Sequence, residues 1–111
     1  MIFAHIATLV FTVPAVTAAV TANQLLGFDD APCGADEAVQ GVAKTDAVTG
    51  DPVAVIGIGI VELEAATAIA KGAKVYSDAN GKATSVGANN SFGTATRAAA
   101  APGDIVTVLI R

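Results

Sequence analysis

Along residues 8–13 apolar and polar positions alternate. Leu9, Phe11 and Val13 fall on one side; Thr8, Val10 and Thr12 fall on the other. A period of two marks a strand, whose successive side chains point to opposite faces. Pro14 ends the run because it has no N–H to give to a ladder. Further on, short apolar stretches recur between turn-forming residues. They predict strands over 16–20, 24–28, 38–43, 52–57, 58–63, 73–77, 81–85, 92–96 and 104–110. The breakers are Gly, Pro, Asn and Asp: a loop over 29–36, a tight turn over 49–52, and a loop over 87–91. Asn80-Gly81 is the strongest short hairpin signal. One segment, residues 64–71, is alanine-rich and closed by Gly72; it reads as two helical turns or as an irregular connection.

Many short strands at regular spacing predict an all-β fold, a small barrel-like or sandwich domain with at most one short helix. An extended apolar N-terminal segment precedes it. The division expected is a β segment or arm over 1–22 and a barrel-like domain over 23–111.

A repeat lies inside this pattern. Residues 41–55 (GVAKTDAVTGDPVAV) resemble residues 93–108 (GTATRAAAAPGDIVTV), and residues 68–76 (AIAKGAKVY) read as a weaker third copy. Each runs from a glycine-started strand end through small residues to a new strand. Glycine supplies the dihedrals of such a corner, and the following Val-x-Val feeds alternate side chains to a core.

Composition sharpens the picture. The chain has 111 residues, enough for one domain. It is 53% hydrophobic but only 5% aromatic, and it has no Trp. With a mean hydropathy of +0.62, part of the apolar surface is expected to be buried between chains.

The first 22 residues contain no Lys, Arg, Asp, Glu or Gly. A signal peptide would need a basic start, and a transmembrane helix would be interrupted by Pro14 and four threonines. Ten of the 22 residues are Ile, Val or Thr, which favour strands. The segment is therefore read as β-structure that packs on its own domain or reaches a neighbouring subunit. Its large apolar residues Ile2, Phe3, Ile6, Leu9 and Phe11 are the candidate contacts with another chain.

Net charge is −4, which argues against nucleic-acid binding. The charges are segregated. Residues 1–66 carry eight acids and one base, whereas residues 67–111 carry two acids and five bases. Copies whose halves face outward on different sides could pair head to tail.

Candidate chemistry is sparse. Cys33 is the only cysteine and His5 the only histidine, so neither a disulfide, a zinc set nor a Ser-His-acid triad can be assembled. Gly57-Ile58-Gly59 lacks the third glycine of a dinucleotide loop, since Glu stands at 62. Asp29, Asp30, Asp36 and Glu37 could offer oxygens to a hard cation, but without EF-hand spacing a solvated loop is the simpler reading. Glu62 and Glu64 share a strand face and read as a polar outer surface. No catalytic residue, metal, cofactor, membrane or small-molecule substrate is expected.

The repeat carries a resemblance. The order Gly-Val-Ala, Gly-Asp-x-Val-x-Val, Gly-Ile-Val-Glu-Leu-Glu, Ala-Ile-Ala-Lys-Gly-Ala-Lys-Val-Tyr-Ser-Asp, Ala-Asn-Gly, Gly-Thr-Ala-Thr and Gly-Asp-Ile-Val-Thr-Val-Leu-Ile-Arg resembles a family of small tailed-bacteriophage proteins. That family is associated with capsid cement and head decoration. The resemblance covers roughly residues 20–111. It implies a barrel-like domain that forms a homotrimer on the outer surface of the virion, binds the major capsid protein and stabilises the shell, with no catalysis and no cofactor. The alternative is a secreted or surface β-domain, such as a pilus or adhesin module, with an uncleaved or atypical signal segment.

Overall fold

The computed structural model describes residues 6–110, and the side chains of residues 9–110. Eight strands follow in order: β1 (Ile6–Val13), β2 (Leu25–Gly27), β3 (Val39–Ala43), β4 (Val53–Glu64), β5 (Lys74–Ser77), β6 (Ala83–Thr84), β7 (Gly93–Arg97) and β8 (Ile105–Ile110). The described residues contain no helix, so the fold is all-β as the turn spacing predicts. All named strand pairs are antiparallel, in the order β2-β3-β4-β8-β7-β5-β6, with β1 on β4. The ends of this sheet approach each other: Leu25 N donates to Gly81 O (2.8 Å) and Gln24 Nε2 to Asn80 O (2.8 Å). The result is a nearly closed barrel.

β4 organises the molecule. The two strands predicted over 52–57 and 58–63 are one strand of 12 residues. Its first part pairs with β1 and β3, and its second part with β8. The face turned to the barrel interior changes along it. Ile56 lies in the interior core, and so do Val61 and Leu63, an odd number of residues further on. The extra residue is absorbed near Gly57 and Gly59, where the β1–β4 register shifts and Gly59 takes φ +147°. A bulge re-aims the side chains beyond it and increases the local twist.

Two cores result. The larger fills the barrel with Leu25, Val42, Ile56, Val61, Leu63, Ile69, Val75, Val106, Val108, Ile110 and several alanines. The smaller lies on the other face of β2, β3 and the start of β4, and contains Val13, Val16, Val20, Leu26, Ala43, Ala47, Val53 and Val55. Adjacent residues divide between them: Leu25 and Leu26, Val42 and Ala43, Ile56 and Val55. This part of the sheet is covered on both faces, which accounts for its unbroken apolar runs.

Residues 16–20, expected as a strand, form no ladder. Val16 and Val20 reach into the smaller core, and the backbone is held at separate points: Val16 N to Asp51 O (2.9 Å), Gly50 N to Val16 O (2.8 Å), and an isolated bridge in which Val20 N donates to Ala47 O (2.8 Å) and Ala47 N to Val20 O (2.9 Å). Residues 64–71 take the irregular form, not the helical one. Their N–H groups are engaged elsewhere: Ala65 N with Asp104 O (2.8 Å), Ala66 N with Ala83 O (2.7 Å) and Ile69 N with Ala99 O (2.9 Å).

These bonds reveal how far the repeat extends. Gly103 N donates to Ala65 O as Gly50 N does to Val16 O, and Ile69 exchanges bonds with Ala99 as Val20 does with Ala47. Ala95 pairs with Val108 as Ala43 pairs with Val55. The chain is thus two similar units in tandem, with β4 closing the first and opening the second. Residues 68–76 are the second unit's counterpart of residues 19–27, rather than a third corner, since Lys74 pairs with Thr94 as Leu25 pairs with Val42.

Candidate capsid and subunit contact surface

The apolar N-terminal strand keeps two large apolar side chains, Leu9 and Val10, close to half exposed. Alternating β-branched and aliphatic residues make β1 a strand, and it pairs with β4 from Ile6↔Ile60 to Val13↔Val53. Its other edge carries no named strand among the described residues. Exposed edges are ordinarily blunted by charge, proline or shortness. Here Pro14 stands just past the end, the strand has 8 residues, and none is charged.

Of the contact candidates, Phe11 is half-buried and packs on the smaller core. Leu9 is 46% exposed. Gly57 lets both lie close to β4, since a Cβ there would stand 2.9 Å from Phe11 Cε1 and 3.5 Å from Leu9 Cδ2. Ile6 is placed opposite Ile60 by its backbone. Ile2 and Phe3 lie outside the described residues, as does His5. The reading of the sequence missed Val10, 45% exposed, and Ile58, 42% exposed, whose Cα faces that of Leu9. Val10 points outward by the same alternation that exposes Thr12, whereas Ile58 lies at the register shift opposite Leu9, at which only the glycine pair at 57 and 59 hints. Phe28, Val48 and Val86 are exposed on loops elsewhere.

Polar groups do structural work. Asp36, at φ +50°, accepts backbone N–H bonds from Ala88 (3.0 Å), Asn89 (3.1 Å) and Asn90 (2.9 Å), and Asn90 Nδ2 donates to its carbonyl (2.7 Å). These donors, Ala88 foremost, hold its carboxyl below the usual carboxylate range. Asp36 is therefore spent on tying loop 28–38 to loop 85–92, and it is not free to bind a cation. Ser77 Oγ, buried, donates to Gly34 O (2.7 Å) and accepts from Glu37 N (3.2 Å). Burial pushes the Cys33 thiol up to about 12; the Glu37 and Asp29 carboxylates add to this and a hydrogen bond with Ser77 opposes it. Such a thiol is a poor nucleophile at neutral pH. Glu64 is paired with Lys82 at 2.9 Å on the surface, beside a shallow groove of about 310 Å³ that Asn23, Gln24 and Asn80 also line.

Comparison with known proteins places the chain in a family. The model of the phage cement protein family matches residues 4–111, nearly the whole chain. No curated protein matches the sequence. Among solved structures, the chain is similar to the N base of head fiber gp8.5 of bacteriophage phi29, at 24% identity and a TM-score of 0.74 over 93% of each chain. That likeness shows the fold: the same barrel is built from a largely different sequence. The family match shows more, and the chain belongs to the phage cement protein family: it is a capsid-binding structural protein of the virion's outer surface.

Proposed function

We propose that the chain acts as a homotrimer that binds the major capsid protein through its N-terminal strand and carries out no reaction of its own. The single observation behind this reading is the uncharged edge of β1, which carries no strand among the described residues, with Leu9 and Val10 exposed on it and Ile58 beside it. A strand edge of this kind takes up another chain by backbone hydrogen bonds, and alternate side chains select the partner. Ile2, Phe3, Ile6, Leu9 and Phe11 are the contacts in this proposal, joined by Val10 and Ile58. The division into a contact segment over 1–22 and a body over 23–111 belongs to it as well, with Val13, Val16 and Val20 anchoring the segment in the smaller core.

Cementing asks for area and copy number, not chemistry. A single contact of standard size covers roughly 800 Å² per partner. Three linked copies that touch several capsid subunits gain further by effective concentration. Binding to the closed shell and not to its parts then favours the shell by mass action.

The experiment is to compare shells carrying the protein with shells lacking it under heat or pressure, and to weigh the free protein by light scattering. Shells that survive equally well in both forms would rule out cementing. A mass of one chain at all concentrations would rule out the trimer.

A further inference from the structure

The hairpin turn at the seam of the barrel needs glycine at 81 but takes nothing from the side chain before it. Gly81 has φ +73°, and a Cβ there would stand 2.6 Å from Gln24 Cγ. Asp78 shapes the turn: its Oδ1 accepts from Asn80 N (2.9 Å) and from Lys82 N (2.7 Å). Asn80 does not share the positive φ of Asn23. It is exposed, and only its backbone N and O form hydrogen bonds among the described residues.

An asparagine amide next to glycine has a reaction open to it. Gly81 N has no side chain beside it to obstruct its approach to Asn80 Cγ. The new N–C bond closes a succinimide ring, and the side-chain nitrogen leaves as ammonia, taking up the proton that Gly81 N gives up. Water then adds to either imide carbonyl and breaks that carbonyl's bond to nitrogen. The products are aspartate and isoaspartate; in the latter the main chain runs through the former side chain. One water is consumed, one ammonia is released, and nothing is oxidised or reduced. Two features of the turn favour this course. Gly81 N is held by Asp78 O at 3.3 Å, beyond the ordinary length of such a bond. Asn80 and Gly81 both line the groove of about 310 Å³ beside Glu64 and Lys82, so water reaches them.

The other asparagines lack this combination. Asn90 precedes Ser91, a small residue, but its amide is locked: Nδ2 donates to Asp36 O (2.7 Å) and its backbone N to Asp36 Oδ1 (2.9 Å). Asn23 and Asn89 precede Gln24 and Asn90, whose side chains crowd the attacking nitrogen.

We propose that Asn80 is a site of spontaneous deamidation, and that its isoaspartate product loosens the seam of the barrel. The seam hangs partly on this dipeptide, since Gln24 Nε2 donates to Asn80 O and Leu25 N to Gly81 O, each at 2.8 Å. In isoaspartate the Asn80 carbonyl leaves the main chain as a free carboxylate, and a methylene is added between the Cα of residue 80 and Gly81 N. Both acceptors are displaced. The new charge also stands two residues from Asp78, whose carboxylate it repels. The reaction needs no partner chain.

The test ages the folded full chain in mildly alkaline buffer beside the same chain unfolded in guanidinium. In the folded chain the peptide holding residue 80 should gain about one dalton and split into two isomers, while the peptide holding Asn89 and Asn90 stays unchanged. The isoaspartyl isomer should accept a methyl group from protein isoaspartate methyltransferase. In the unfolded chain Asn90 should deamidate as well, because Asp36 no longer holds it. N80S has no amide to lose; it should melt with the native chain and run as one species on ion exchange after ageing. The Leu25 amide of the aged native chain should exchange its hydrogen faster than that of N80S aged alongside it. A residue 80 that stays intact in the folded chain and changes in the unfolded one would overturn the site, because the turn would then protect it. Modification at 80 that leaves the Leu25 amide as protected as in N80S would overturn the loosening.

Discussion

Gly41 and Gly93 hold the same place in the two units, Gly41 in the middle of β3 and Gly93 at the start of β7, each lying flat against the strand that follows. A Cβ on Gly41 would collide with Val55 Cγ1 and stand 2.5 Å from Ile56 O. On Gly93 it would collide with Leu109 O and stand 2.8 Å from Val108 Cγ1. Backbone cannot yield as a side-chain tip can, so G41A and G93A should each lose about 1–3 kcal/mol in urea unfolding, as overpacked sites do. Gly50 and Gly103 provide the contrast. They sit at φ +93° and +91° with nothing within 4 Å of a new Cβ. G50A and G103A should cost about 1 kcal/mol each, from backbone conformation alone. Equal losses at all four positions would refute the distinction.

Asp36 should make the loop pair acid-sensitive. Its carboxyl is held below the usual range by the N–H groups of Ala88, Asn90 and Asn89. A lowered pKa contributes stability that is present above the unfolded value, near 4, and is lost as pH falls through the native value. Amides 88–90 should therefore be protected from hydrogen exchange at neutral pH and lose that protection in acid. In D36N they should exchange fast at every pH. A D36N profile that matched the native one would show that the carboxylate does not hold the loop.

Cys33 should be silent in the folded protein. A raised thiol pKa contributes stability below the unfolded value of about 8.5, which is lost as pH rises towards the folded value. At pH 8 a disulfide reagent should react on the order of 10³ times more slowly with the folded chain than with the chain in urea. C33A should fold normally. C33S should be less stable than C33A, because a hydroxyl needs a stronger partner than the Ala38 carbonyl, 3.9 Å from the sulfur. Rapid labelling of the native protein would contradict the buried placement.

What the sequence made legible was local. The alternation over 9–13, the Asn80-Gly81 turn and the Gly-Asp corners each depend on neighbouring residues, and each appears where expected; Gly81 takes φ +73°. What it hid was decided by distant partners. Residues 64–71 have helical composition, but their N–H groups are claimed by Asp104, Ala83 and Ala99. Val16 and Val20 read as strand residues because valine favours strands, whereas their role is to cap a second core that the apolar pattern did not announce. The strand proposed as the contact stands out in the sequence by its lack of charge, and Val10 is exposed by the same alternation that exposes Thr12. Ile58 was not legible, because it lies at the register shift opposite Leu9.

The central claim is that the uncovered apolar strand exists to be covered by another protein chain. L9E and V10E change only exposed positions on β1, so the isolated variants should melt within about 0.5 kcal/mol of the native chain, as surface substitutions do. The decisive measurement is co-sedimentation of native, L9E and V10E protein with shells that lack it, followed by heating of the same shells. The native chain should pellet with the shells and raise the temperature at which they open, and both variants should remain in the supernatant and leave that temperature unchanged. Variants that bind and protect as well as the native chain would contradict the account.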